Sequence, residues 1–183
     1  MDRRKALILT TSIMGSTLIG AEFFLSGCNR KITNKTLFSD SDTSFLDEVG
    51  ETILPETDGS PGAKAAKIGA FMVAIVTDCY DKKEQVIFKE GMDTIEQMAH
   101  TTYSSSFLEL DQNLRQDLLV LLDKKAKAIS EGEPPHFFSM MKQLTIWGFF
   151  TSEPGATKAL RYLPIPGSFK GCIPYVKGDK AWA

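Results

Sequence analysis

Apolar residues recur at spacings of three and four along most of the chain between Ser39 and Phe150, and this helical period constrains the fold more than any other feature. A first helix is expected behind the N-cap residues at 39–42 and ends at Pro55, with an inward face of Phe45, Leu46, Val49 and Ile53. Further helices are predicted at residues 63–80, 82–102, 111–127 and 136–150. Since no segment alternates convincingly with a period of two, the sequence predicts an all-α fold, a small bundle of four to five helices over residues 39–151.

The periodic positions also define a candidate core. In the second helix they are Ala65, Ile68, Phe71, Met72, Ile75, Val76 and Cys79; in the third, Val86, Ile87, Met92, Ile95, Met98 and Ala99; in the fourth, Leu114, Leu118, Leu121 and Leu122. Gly91 interrupts the third helix at a cost of about 1 kcal/mol relative to alanine, unless another element packs close to it.

Residues 152–183 differ in kind from the bundle. A short helix is expected at residues 152–161, followed by an extended arm, because the last 50 residues hold six of the eight prolines and nine of the eighteen aromatic residues. Two interpretations stay open: the arm folds back over its own bundle, or it lies across a partner, whose interface aromatic residues commonly anchor. The candidate partner interface is Trp147, Phe149, Phe150, Tyr162, Pro164, Pro166, Phe169 and Tyr175.

The first 27 residues resemble a bacterial lipoprotein signal peptide. Arg3, Arg4 and Lys5 form a basic head, residues 6–21 carry no charge, and Leu25-Ser26-Gly27-Cys28 resembles the lipoprotein box. We therefore expect Cys28 to be lipidated and residues 28–38 to be a tether, with the protein lipid-anchored on the periplasmic side of the cell envelope. The alternative is a plain anchor helix with an incidental cysteine. The Arg3-Arg4 pair also resembles a twin-arginine export signal, although ordinary signal heads contain such pairs as well.

The sequence offers little catalytic chemistry. It has no glycine-rich dinucleotide motif after a strand and no haem-attachment motif, and three cysteines are too few for the usual iron–sulfur ligation. His100 and His136 are interpreted as two unrelated structural histidines, and the acidic residues at 47, 48 and 51 as a solvated helix face. With a net charge of −2, nucleic acid is not an expected partner. No catalytic, cofactor-binding or metal-ligating residue is predicted in this chain.

Two interpretations remain for the cysteines other than Cys28. Cys79 and Cys172 could form a disulfide in an oxidising compartment, which would tie the second helix to the arm. Equally, Cys79 is a small buried apolar side chain and Cys172 an interface residue.

Four segments together resemble the gluconate 2-dehydrogenase subunit 3 family. They are residues 53–63 (ILPETDGSPGA), 88–92 (FKEGM), 144–153 (LTIWGFFTSE) and 162–167 (YLPIPG) with Gly171 and Cys172 after it. The resemblance implies a helical small subunit without a redox centre of its own, which helps a large subunit to mature and be exported. That partner would be a flavoprotein of the glucose-methanol-choline type that holds FAD and oxidises a sugar or sugar acid, and a third subunit could carry haem c.

Three hypotheses follow for the function. The first is a non-catalytic subunit of a dehydrogenase complex. The second is a free-standing envelope lipoprotein that binds another protein or a ligand. The third is an enzyme of unrecognised chemistry, which the lack of catalytic motifs disfavours.

Overall fold

The computed structural model describes residues 37–129, 133–165, 167–168 and 171–183. The predicted signal peptide, Cys28 and nearly all of the predicted tether lie outside the described residues, as do Pro166 and Phe169. Five α-helices form the described body: α1 Asp40–Ile53, α2 Ile68–Cys79, α3 Lys82–Tyr103, α4 Gln112–Lys127 and α5 Phe137–Thr151. Short 3₁₀ turns lie at Ala63–Ala66 and Phe107–Glu109, and a π-helical turn follows at Gly155–Ala159. The described residues contain isolated β-bridges but no extended strand, so the predicted all-α bundle is confirmed.

Helix α1 begins where the cap residues predicted it. The Ser39 hydroxyl accepts the Asp42 N–H at 3.2 Å, and the Asp42 carboxylate accepts the Ser39 N–H at 2.9 Å. This reciprocal pair satisfies two N–H groups that the first helical turn leaves without helical partners. The same register turns Phe45, Leu46 and Val49 into the core.

The predicted helix over residues 63–80 is wrong at one point, because the chain turns sharply at Lys67. Lys67 has φ +52°, so the segment is a 3₁₀ turn followed by a separate helix. Carboxylates of α1 hold both pieces: Glu51 accepts the Lys64 N–H at 2.8 Å, and Asp47 accepts the Gly69 N–H at 2.7 Å. Ala65, within the 3₁₀ turn, and Cys79, the last residue of α2, are exposed instead of facing inward.

Helix α3 packs closely against the start of α5. A Cβ atom added to Gly91 would lie within 2.5 Å of the Cβ and Cδ2 atoms of Phe137, so only glycine fits there without movement. Phe88, outside the predicted stripe, is fully buried, whereas Val86 is exposed. The expected cost of a glycine in this helix is therefore offset by a close helix–helix contact.

Helices α4 and α5 complete the core. In α4 the buried residues are Leu118, Leu119 and Leu122, while Leu121, a predicted core residue, is 47% exposed. In α5 the side chains of Phe138, Met141 and Leu144 are buried. Thr145 is buried as well, and its hydroxyl donates to the Met141 carbonyl at 2.8 Å, which satisfies its polar group within the helix.

Candidate partner-binding surface

The second half of α5 carries apolar side chains on both its buried and its exposed sides. Gly148 faces the first turn of α2, where an added Cβ would lie 2.5 Å from side-chain atoms of Ile68 and Phe71. This close approach places the Trp147 ring against that of Phe71, edge to face, with centroids 5.4 Å apart. Trp147 is nevertheless 53% exposed, and Ile146 and Phe150 are exposed on the same helix. We call Ile146, Trp147 and Phe150 the α5 patch.

Phe149 is a correction to the predicted interface. Its side chain is only 2% exposed and lies within the protein's own core, so a partner has no access to it in this conformation. Its carbonyl accepts both the N–H and the hydroxyl of Ser152, at 3.1 and 2.6 Å. Phe149 therefore ends the helix and fixes how the chain leaves it.

The short helix predicted at residues 152–161 is largely the π-helical turn Gly155–Ala159, and the end of the predicted extended arm returns to Arg161. The backbone of Arg161 receives the returning chain: its N–H donates to the Ala181 carbonyl at 2.7 Å, and its carbonyl accepts the Ala183 N–H at 3.1 Å. The Arg161 guanidinium lies 4.9 Å from the ring centroid of Trp182 and 3.6 Å from the Asp179 carboxylate. We call the described residues of this segment, 162–165, 167–168 and 171–180, the C-terminal loop.

The described part of the C-terminal loop is exposed throughout. Ile165 is 84% exposed and Tyr175 80% exposed, and the apolar side chains of Tyr162, Leu163, Ile173 and Val176 are also open to solvent. Pro164 is exposed as well. The fold-back interpretation is therefore not what the structure shows for the described residues. Because monomeric proteins rarely leave such apolar clusters in water, the loop has the character of an interaction surface.

Several residues of this surface were missed by sequence reasoning. Ile165, Ile173, Val176 and Trp182 were not named as interface candidates, although each is exposed. Their proximity to prolines and glycines was the available signal, because such residues prevent a regular element that could bury them. Ile146 was missed because it belongs to a helix whose sequence is apolar on nearly every side.

The two cysteines within the described residues do not form the disulfide. Cys79 and Cys172 are both free thiols, and both are exposed. The interpretation of Cys79 as a buried apolar side chain is also wrong, since Cys79 is exposed at the C-terminal end of α2.

The acidic residues of α1 brace the fold instead of forming a solvated face. Glu48 accepts the Arg115 guanidinium at 2.6 Å and also contacts the Lys64 ammonium. Arg115 further donates to the carbonyls of Phe107 and Leu108, at 3.0 and 2.6 Å. Burial raises the pKa of Glu48, but the hydrogen bonds and charges of Lys64 and Arg115 outweigh burial and leave that pKa below its ordinary value. These contacts join α1 to α4 and to the turn before α2.

The two histidines lie in separate structural positions. The His136 Nδ1 accepts the Phe138 N–H at 3.1 Å and so caps α5, while burial and the charge of Lys125 lower the pKa of His136. His100 lies in the last turn of α3, 3.2 Å from Glu96. Over residues 37–129 and the described ranges after them, no group of three acidic, histidine or cysteine side chains is placed to hold a metal ion.

A cleft with a volume of about 210 Å³ lies between α1 and α3. Small-molecule sites are typically larger, with volumes of about 300–1,000 Å³. Two of its three carboxylates already have partners, since Asp42 pairs with Lys89 at 2.6 Å and Glu96 accepts the Phe107 N–H at 3.1 Å; the third is the exposed Asp93. The cleft therefore offers a ligand few free polar groups.

The fold and its surfaces define a small helical protein whose most accessible apolar residues follow its last helix. The family model described as Gluconate 2-dehydrogenase subunit 3 matches residues 40–167, so the chain belongs to that family, whose name identifies it as an accessory subunit of a dehydrogenase complex. No curated protein and no solved structure gave a significant match. None of the described helices has the length and apolar character needed to cross a membrane.

Proposed function

We propose that this chain is the non-catalytic small subunit of a membrane-associated, FAD-dependent sugar or sugar-acid dehydrogenase. Its role is to bind the large flavoprotein subunit of the glucose-methanol-choline type and to support that subunit's maturation, export and membrane attachment. FAD belongs to the large subunit, and a cytochrome c subunit would accept the electrons. The lipid anchor at Cys28 would hold the complex on the periplasmic side of the envelope.

The exposed apolar surface of the α5 patch and the C-terminal loop carries this proposal. An aromatic side chain at the centre of an interface contributes about 2 kcal/mol or more to binding, and Trp147, Tyr162 and Tyr175 are all accessible for that purpose. Gly148 and the prolines favour a prearranged surface, which loses less conformational entropy on binding than a flexible one. The family membership supplies the kind of partner.

The direct test is an affinity pull-down of the full chain from its native membranes. We expect a flavin-containing chain of much greater mass to co-purify with it, with the dehydrogenase activity. The isolated small subunit should show neither flavin nor haem absorbance. A stoichiometric chromophore on the isolated chain would contradict the non-catalytic role and favour an enzyme. Recovery without any flavoprotein would contradict the proposal and favour a free-standing lipoprotein.

Deleting residues 163–183 tests the contribution of the loop. Because the described loop residues are exposed and contact mainly Arg161 and Lys158, the truncated chain should keep the helical circular dichroism signal of the full chain. Recovery of the flavoprotein should fall at least tenfold. The substitution Val120→Ser, at an exposed apolar site on α4, is the control and should leave recovery unchanged. A truncated chain that folds and recovers the flavoprotein fully would assign the contact to the helical body.

A further inference from the structure

Charge is divided unevenly between the helical body and the segment that contains the C-terminal loop. Residues 37–153 contain ten lysine and arginine residues against twenty aspartate and glutamate residues, a net charge of −10. Residues 154–183 contain five basic residues against one aspartate, a net charge of +4. The basic residues are interleaved with the exposed apolar ones: Lys177 follows Tyr175 and Val176, and Lys180 precedes Trp182.

Some cationic side chains near the two ends of the C-terminal loop already have partners, and others are accessible. The Arg161 guanidinium already contacts Asp179 and Trp182, and the Lys180 ammonium donates to the Lys158 carbonyl. Lys158 and Lys177 are exposed, and within the described ranges their ammonium groups take part in no ion pair. These two lysines are therefore available to a partner, on either side of the loop's apolar residues.

We infer that the C-terminal loop inserts into an apolar cleft of the large subunit whose rim carries aspartate and glutamate side chains. This inference rests on the proposed function, to which it adds the chemistry of the receiving site. Apolar contact with Ile165, Tyr175 and Val176 would hold the complex together, and the lysines would guide the encounter and fix the orientation. A recessed cleft fits the loop because its described residues are all exposed and its two ends meet at Arg161.

The same charges disfavour the other occupants of this surface. Residues 37–183 together have a net charge of −6 and the full chain one of −2, so overall charge does not draw a second copy towards the loop at long range. An anionic lipid surface is flat and would bring the body, with its net charge of −10, towards the headgroups. A cleft would admit the exposed loop, while the acidic body stays outside it.

The test measures association and dissociation rates between the purified full chain and the flavoprotein that co-purifies with it, at about 50 mM and about 500 mM salt. The double substitution Lys158→Glu and Lys177→Glu should slow association about tenfold at low salt, should lose most of that effect at high salt, and should change dissociation little. Replacing Tyr175 and Val176 with serine should instead speed dissociation about tenfold. The matched control, Lys82→Glu with Lys83→Glu on the exposed start of α3, should match wild type.

Each other outcome has a distinct meaning. Unchanged association of the Lys158→Glu, Lys177→Glu variant at both salt concentrations overturns the acidic cleft but leaves the accessory role intact, because the flavoprotein still binds. Failure of wild type to bind any flavoprotein overturns the proposed function together with this inference. Sedimentation showing a wild-type dimer that this variant loses, or binding to phosphatidylglycerol vesicles that it loses, overturns the inference in favour of a second copy or a lipid surface. The single variant Lys177→Glu replaces the double one if the latter unfolds.

Discussion

Replacing Gly91 with alanine should destabilise the protein, although alanine is the better helix former. In the middle of a helix, glycine costs about 1 kcal/mol relative to alanine, so propensity alone predicts a gain of that size. The structure predicts the opposite sign, because the new methyl group would lie within 2.5 Å of the Cβ and Cδ2 atoms of Phe137. The Cβ atom of Phe137 is bonded directly to the backbone of α5, so rotation of the Phe137 ring cannot remove its overlap with the new methyl group.

The expected magnitude follows from these opposing effects. Overpacking a well-filled helix contact forces side-chain and backbone shifts that cost about 1–3 kcal/mol. After the propensity gain is subtracted, Gly91→Ala should lower the free energy of unfolding by about 1 kcal/mol. The midpoint of thermal unfolding should fall by about 2–4 °C in a chain of this size. Urea titration followed by circular dichroism measures the first quantity, and a thermal scan measures the second.

A second substitution makes the reasoning easy to refute. Phe137→Gly removes both the ring and the Cβ atom that the new methyl group would meet, so Gly91→Ala introduced into that background should stabilise the chain by about 0.5–1 kcal/mol. The effect of one methyl group would then change sign with the neighbouring side chain. If Gly91→Ala stabilises the otherwise wild-type protein, or if its effect is the same in both backgrounds, the close packing of α3 on α5 is not what requires glycine.

Three further predictions concern the braces of the fold and the membrane anchor. Arg115→Met should lower the free energy of unfolding by about 3 kcal/mol in urea titration, because it leaves Glu48 paired with Lys64 alone and removes the donor to two backbone carbonyls. A loss below about 1 kcal/mol would contradict this. The pKa of Glu48 is lowered in the folded state, so the stabilising effect of its carboxylate is fully present above pH 4.5 and is lost as the pH falls through the lowered pKa. Between pH 6 and pH 3 the wild type should therefore lose more stability than Glu48→Gln, and equal losses would contradict this role of Glu48. Cys28→Ala should abolish incorporation of labelled fatty acid, and undiminished labelling would refute the lipoprotein anchor.

The helices could be predicted because their starts depend on neighbouring residues. Ser39 and Asp111 cap α1 and α4 through contacts three residues away, and such contacts are visible in the sequence. The interruption at Lys67 could not be predicted in this way. It depends on Glu51, which accepts the N–H of Lys64 thirteen residues further along the chain, and no local pattern specifies that pairing.

The candidate interface could be predicted as a region but not residue by residue. Helix α5 is apolar on nearly all sides, so its period does not distinguish the buried Phe149 from the exposed Trp147 and Phe150. The approach of α2 at Gly148 decides which face of this part of the helix is covered. The loop closure was missed for a similar reason, since Arg161 and Trp182 are 21 positions apart in a segment without regular structure.

Phe149 contributes to the surface although no partner can contact its side chain. Its burial fixes the end of α5, and its carbonyl holds Ser152 through two hydrogen bonds. Gly155 then packs against that same carbonyl, where any larger residue would collide with the backbone. The chain thus leaves the core in a direction set by the core itself, and six residues after Gly155 the backbone of Arg161 closes the base of the loop. A rigid connection of this kind would present the α5 patch and the C-terminal loop to one partner in a constant relative position, which reduces the entropy that docking must offset.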